Sequence, residues 1–142
     1  MTTSGATKYL RMMQPDDINA IRPLVMLGER NTLGVRYALE GTQPPKGQLY
    51  DVFIDVNDFI IALDQGMSLV IPPKTNLHPT LLRTSSGLIC FSIPSDQLNN
   101  NRHLQFFEDS YKHAIIIPRY SMRISDYYDH LVDTEPYWKV EP

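Results

Sequence analysis

The sequence offers a single cysteine, Cys90, among its 142 residues. No internal disulfide can form, and no C-x-x-C metal or redox pattern exists. Cys90 stands in the apolar run Leu88-Ile89-Cys90-Phe91, where a small buried hydrophobe is the expected role. A nucleophilic thiol would need a neighbour that stabilises the thiolate, and the sequence names none. Long apolar stretches are also lacking. Phe59-Ile60-Ile61-Ala62-Leu63 falls far short of the roughly 20 residues a membrane-crossing helix requires. The polar start Met1-Thr2-Thr3-Ser4-Gly5 leads into no secretory apolar segment. The expectation is a chain that is neither membrane-bound nor secreted, at work in the reducing cytoplasm or in a particle assembled there. Basic charge is scarce as well. The net charge is −3 and the arginines are scattered singly, so nucleic acid is disfavoured as a partner.

Catalytic signatures are equally thin. There is no G-x-S-x-G elbow and no G-x-G-x-x-G or G-x-x-x-x-G-K-[ST] phosphate loop. Gly28 and Gly34 lack the lysine that reaches a phosphate and read as turn glycines. His78-Pro79-Thr80 resembles the H-x-T element of two-histidine phosphoesterases, but those enzymes need two copies and His113 is followed by Ala114-Ile115. Residues 71–80, with Ile71-Pro72-Pro73, resemble a strand-turn-strand segment of trimeric dUTPases. The glycine- and aspartate-bearing motifs of that family are missing, so no functional residue carries over. Asp126 and His130, four apart on one helix face, could hold a divalent ion only with a third ligand from elsewhere. A solvated acidic face is the simpler reading, and neither a metal nor an organic cofactor is expected.

What is present is a globular composition. Hydrophobic residues make up 42% and are spread throughout, which argues against disorder. Eleven prolines punctuate short units. The pattern predicts a loosely held arm over 1–14, a globular domain over 15–135 and an extended tail over 136–142. Within the domain it predicts a helical turn near Asp16–Ile21 and a hairpin from Leu24–Leu27 to Val35–Leu39. Residues 40–48 read as an ordered loop. A strand over 49–54 leads to a short helix over 56–65 capped by Asp55 and ended by Gly66. A strand over 67–71 and a hairpin from 80–84 to 88–93 follow. A second helix is expected over 102–113, since Leu104, Phe107 and Tyr111 recur at helical spacing. A buried strand spans 114–117, and a last helical turn capped by Ser125 turns Tyr128, Leu131 and Val132 to the core. The fold class is α+β: one domain, a mixed or mostly antiparallel sheet of five or six strands and two or three short helices. A β-rich sandwich or barrel with helical decorations is the alternative. The expected core is Phe53, Val56, Phe59, Ile60, Leu63, Ile89, Phe91, Leu104, Phe107, Ile115 and Ile116. If fully buried, Phe59 or Phe107 replaced by Ala would cost roughly 3–5 kcal/mol.

Both ends carry more aromatic and sulfur side chains than a frayed terminus needs. Tyr127, Tyr128, Tyr137 and Trp138, with Tyr9 and Met12, are therefore the candidate interface residues. They dock either on their own domain or on a neighbouring subunit. The functional expectation is a non-enzymatic structural or assembly subunit, such as a virion or phage-particle component, whose partner is itself or another subunit. A small enzyme or ligand-binding domain is the first rival, with His78, Arg83, His113 and Asp129 as candidates. A deep pocket with convergent polar groups would favour it. A regulator that binds one protein through the loop 40–48 or the tail is the second.

Overall fold

A computed structural model describes residues 6–28, 31–45 and 49–142. The chain is sheet-dominated. Strands β1 (Lys8–Met13), β2 (Met26–Gly28), β3 (Asn31–Thr32), β4 (Val35–Leu39), β5 (Val52–Ile54) and β6 (Met67–Val70) precede a helical turn α1 (Pro79–Leu82). Strands β7 (Ile89–Pro94), β8 (Leu104–Phe107) and β9 (His113–Pro118), helix α2 (Ile124–Val132) and strand β10 (Lys139–Val140) follow. Six strands form an antiparallel sheet in the order β10-β7-β1-β6-β9-β8, and four form a second in the order β2-β3-β4-β5. In the second, β4 and β5 run parallel. No barrel closes, and α1 and α2 are the only α-helices among the described residues.

The strands expected over 67–71, 88–93 and 114–117 are β6, β7 and β9. They lie inside the large sheet, where near-continuous apolar runs belong. The expected hairpin over 24–39 is present with an extra turn of chain, as β2, β3 and β4. Its two-residue loop, Leu33-Gly34, has φ of 53° and 84°, the left-handed pair that a tight primed turn requires. Of the expected arm, residues 8–13 are not loosely held but form a strand paired on both sides, with Leu10 opposite Val70 and Ser92. Residues 1–5 of the arm, and 46–48 of the loop 40–48, lie outside the described residues.

Both predicted interior helices are corrected. Over 56–65 the Asp55 Oδ1 accepts the amides of Asn57 at 2.8 Å and Phe59 at 3.0 Å. Asp58 then adopts φ 68° and turns the chain back, so that Ile60 pairs with Ile54 and Phe59 with Arg123. The side chain expected to cap a helix closes a turn instead. Val56 is consequently 84% exposed and Leu63 also faces solvent. Over 102–113, Asn101 Oδ1 accepts the amides of His103 and Leu104, both at 2.8 Å, and launches β8 along β9. Leu104 is buried, but Phe107 is 45% exposed and Tyr111 lies in solvent. Phe106 takes the core-facing place and packs on Tyr9 at a ring distance of 4.7 Å. Three further expectations fail for similar local reasons. Residues 80–84 hold α1, which has Pro79 at its start and a His78 ring nitrogen accepting the Thr80 amide. The segment 16–21 is an exposed turn closed by Asp16, whose Oδ2 accepts the amides of Ile18 and Asn19. Helix α2 begins at Ile124 after Arg123, without a side-chain cap, and Ser125 is exposed within it.

The core is shared by both sheets, α2 and the C-terminal segment. Adjacent tyrosines of α2 hold the two sheets. Tyr127 Oη donates to Ile116 O of β9 at 2.6 Å and accepts the Met67 amide of β6 at 2.9 Å. Tyr128 Oη donates to Val35 O of β4 at 2.7 Å. Gly66 makes room: a Cβ there would lie 1.9 Å from Ile116 O and 2.7 Å from Tyr127 Oη. That close approach, not a helix end, is why glycine stands at 66. A small second core, Leu10, Leu77 and Cys90, is a separate cluster. Cys90 is thus buried as expected, and burial pushes its thiol pKa up.

The tail is ordered against its own domain. After a short turn at Glu135–Tyr137, β10 pairs with β7. Trp138 is 1% exposed. Its Nε1 donates to Thr134 Oγ1 at 3.1 Å, and Thr134 donates on to Leu131 O at 2.6 Å. Two outcomes are expected from this packing. Truncation after Thr134 should lower the melting temperature at every protein concentration, including the dilute range in which the chain is monomeric. Tyr127→Phe, which leaves a buried amide and a buried carbonyl each short of a partner, should cost about 1–3 kcal/mol in urea unfolding. A loss of under about 0.5 kcal/mol would contradict the role given to that hydroxyl.

Candidate functional site

The six candidate interface residues separate. Tyr9, Tyr127 and Trp138 are buried inside the chain. Tyr9 donates to Glu108 Oε2 at 2.7 Å, and burial raises the pKa of both tyrosines. Tyr128 and Met12 are half-buried, while Tyr137 stays 40% exposed. Five of the six thus spend much of their apolar area within their own domain.

A groove of about 480 Å3 runs beside the tail, with Ile21, Trp138 and Val140 among its lining residues. The turn over 15–23 forms one wall, and several bonds fix it there. Pro15 pairs with Pro23. Arg22 donates from Nη1 to Pro136 O at 3.0 Å and places Nε 3.7 Å from Glu135 Oε1. The Asp16 carboxylate closes the turn itself. On this bonded turn Ile18 is 97% exposed and Ile21 66% exposed. The sequence placed both isoleucines in a helical turn; nothing in their spacing marked them as a surface.

A second cavity, about 270 Å3, lies where β1, the β3–β4 hairpin and the segment around α1 meet. Its polar groups come from distant parts of the chain. Arg11 donates from Nη1 to Ser68 O at 2.8 Å, and from Nε and Nη2 to Leu33 O at 3.3 and 3.0 Å. It therefore ties β1 to β6 and to the strained Leu33 turn. Asp51 bonds Arg36 twice: its amide donates to Arg36 O, and its side-chain Oδ2 accepts the Arg36 amide at 3.0 Å. Burial lowers the pKa of Arg11 and raises that of Asp51, each against the attraction of the other. Asn31 Oδ1 is buried with no hydrogen-bond partner. Arg11 and Asp51 were not legible as a pair. The one available signal is a lone arginine inside the apolar strand Lys8–Met13.

The polar candidates drawn from the sequence do not assemble into one site; each has a separate place in the fold. His78 caps α1, and Arg83 is the exposed residue that ends it. His113 Nδ1 lies 2.7 Å from Asp109 Oδ1. Asp129 is exposed on α2. His130 does not meet Asp126 over a metal site. It stacks on His103, with ring centres 3.8 Å apart and planes 9° off parallel. His103 Nδ1 in turn lies 2.6 Å from Tyr120 Oη. Among the described residues no three His, Cys, Asp or Glu side chains are placed to hold a metal ion, and no helix is long and apolar enough to cross a membrane. No family model, curated protein sequence or solved structure matches the chain.

His130 sets a pH dependence. His130 is held below its ordinary 6.5, first by burial and then by the facing His103; Asp133, Asp126 and Asp129 pull the other way. The unfolded chain therefore takes up this proton at a higher pH than the folded one. Stability contributed here is present above pH 6.5 and is lost as pH falls through the folded value. Melting temperature should fall between about pH 7 and pH 5.5, and His130→Gln should flatten that slope. A slope unchanged in the variant would show that His130 does not carry this pH dependence.

Proposed function

We propose that the chain is a non-enzymatic assembly subunit that works through protein–protein contacts, with a second copy of itself as the first partner. The observation that carries this reading is the bonded turn that holds Ile18 and Ile21 in water beside the apolar groove. Single exposed hydrophobics are ordinary on monomers. Here the exposed pair is fixed by an Asx turn, an arginine hydrogen bond and an ion pair. A rigid apolar ridge next to an apolar groove is the arrangement in which one copy's ridge fills another's groove, and pre-fixing it reduces the ordering cost of association. Met26, Leu49 and Val56 are also largely exposed.

Sedimentation velocity across the micromolar range tests this. The chain should form a concentration-dependent dimer or larger species. Ile18→Asp and Ile21→Asp should each shift it to monomer with an unchanged melting temperature, since neither side chain supports the fold. A wild-type chain that stays monomeric throughout would overturn the reading.

A further inference from the structure

The apolar ridge and the groove beside the tail lie next to each other on one face of the chain, because Ile21 belongs to both. Ile18 stands on the same bonded turn and is almost wholly in solvent. A surface that carries a projection next to its own recess is self-complementary about a two-fold axis passing between them. One rotation seats both projections at once, and no recess stays open for a third copy. A projection and a recess on opposite faces would instead propagate into a ring or a filament.

Charge marks which parts meet. The ridge over 16–21 carries two carboxylates, Asp16 and Asp17, and no cation. Asp16 spends its Oδ2 on the amides of Ile18 and Asn19, at 3.2 and 2.9 Å. Asp17, beside Ile18, is exposed and has no ion-pair partner among the described residues. The groove has the opposite sign. The charged residues that line it, among those described, are Arg22 and Lys139. Arg22 is committed to Pro136 O and Glu135. Lys139 is exposed and, like Asp17, has no ion-pair partner among the described residues. The uncommitted charge is therefore negative on the ridge and positive in the groove. Both backbones are already fixed, by the pairing of Lys139 with Ser92 and of Pro15 with Pro23. Neither charge needs a rearrangement of the chain to be presented.

Resting on the reading of the chain as a self-associating subunit, we infer that the assembly is a closed two-fold dimer in which Asp17 of each copy pairs with Lys139 of the other. The apolar ridge in the groove of Trp138 and Val140 supplies the affinity, and the two ion pairs at its edge fix the register. Charges at the rim of an interface steer and orient association more than they strengthen it, while like charges in the same place oppose it.

Sedimentation velocity on the full chain at low ionic strength, where such pairs are least screened, tests this with Asp17→Lys, Lys139→Asp and their equimolar mixture. Both variants are checked first for wild-type melting. The wild-type chain should reach a dimer and grow no further as its concentration rises. Each variant alone sets like charges against each other at both contacts and should dimerise at least about tenfold more weakly. In the mixture, opposite charges face each other again at both contacts, one in the native sense and one reversed, so dimers should return to near the wild-type level. A dimer that neither variant weakens, or a mixture that stays monomeric, overturns the pairing of Asp17 with Lys139. Wild-type species larger than a dimer overturn the closed two-fold arrangement. In each of those cases self-association itself stands. A wild-type chain that stays monomeric overturns self-association, and this inference with it.

Discussion

The Tyr127 hydroxyl is the point on which the two-sheet arrangement depends. It sits between β6 and β9, takes the amide of Met67 and gives its proton to the carbonyl of Ile116. Two strands of the large sheet and the helix that covers them thus share one buried oxygen. The next residue, Tyr128, reaches the small sheet at Val35. Because the two tyrosines are adjacent on α2, the helix cannot rotate to improve one bond without breaking the other. Gly66 is the other half of the constraint, since no side chain fits between it and Ile116 O.

Arg11 performs a comparable task at the Leu33-Gly34 turn of the small sheet. Leu33 is held at positive φ with its side chain buried in the core, a conformation that costs a leucine of order 1–3 kcal/mol. Two N–H groups of Arg11 on the Leu33 carbonyl help to offset that cost. The same bonds place a guanidinium at the wall of a cavity. Strain, a buried charge and an unpaired amide oxygen therefore meet in one part of the fold.

How much of this was legible in the sequence follows from where each segment's backbone finds its partners. β6, β7 and β9 were readable because strands inside a sheet carry continuous apolar runs. The segments over 56–65 and 102–113 misled because Leu104, Phe107 and Tyr111 keep helical spacing although the backbone bonds run across to β9. Asp55 and Asn101 have the chemistry of helix caps, but each closes a turn that hands the chain to a sheet. Trp138 was recognisable as a residue needing a docking surface, and that surface proved to be Thr134 and the shared core. The cavity was not legible, because Arg11 reaches Asn31 and Asp51 only through its bonds to Leu33 O, and Asp51 reaches Asn31 only through the pairing of β4 with both β3 and β5. Neither the arginine bonds nor the parallel β4–β5 pairing leaves a local signal.

The central place of β1 has a consequence for the growing chain. Leu10 waits for Val70 on one side and Ser92 on the other, so β1 leaves the ribosome well before either neighbour exists. For that interval it is an unpaired strand with both edges open, the kind of segment that joins to identical strands on other nascent chains. Lys8 and Arg11 interrupt the run Lys8-Tyr9-Leu10-Arg11-Met12-Met13 with two positive charges, which repel a second copy of the strand laid alongside. Arg11 thus serves twice: as a gatekeeper while the strand is alone, and as an internal tie once its partners arrive.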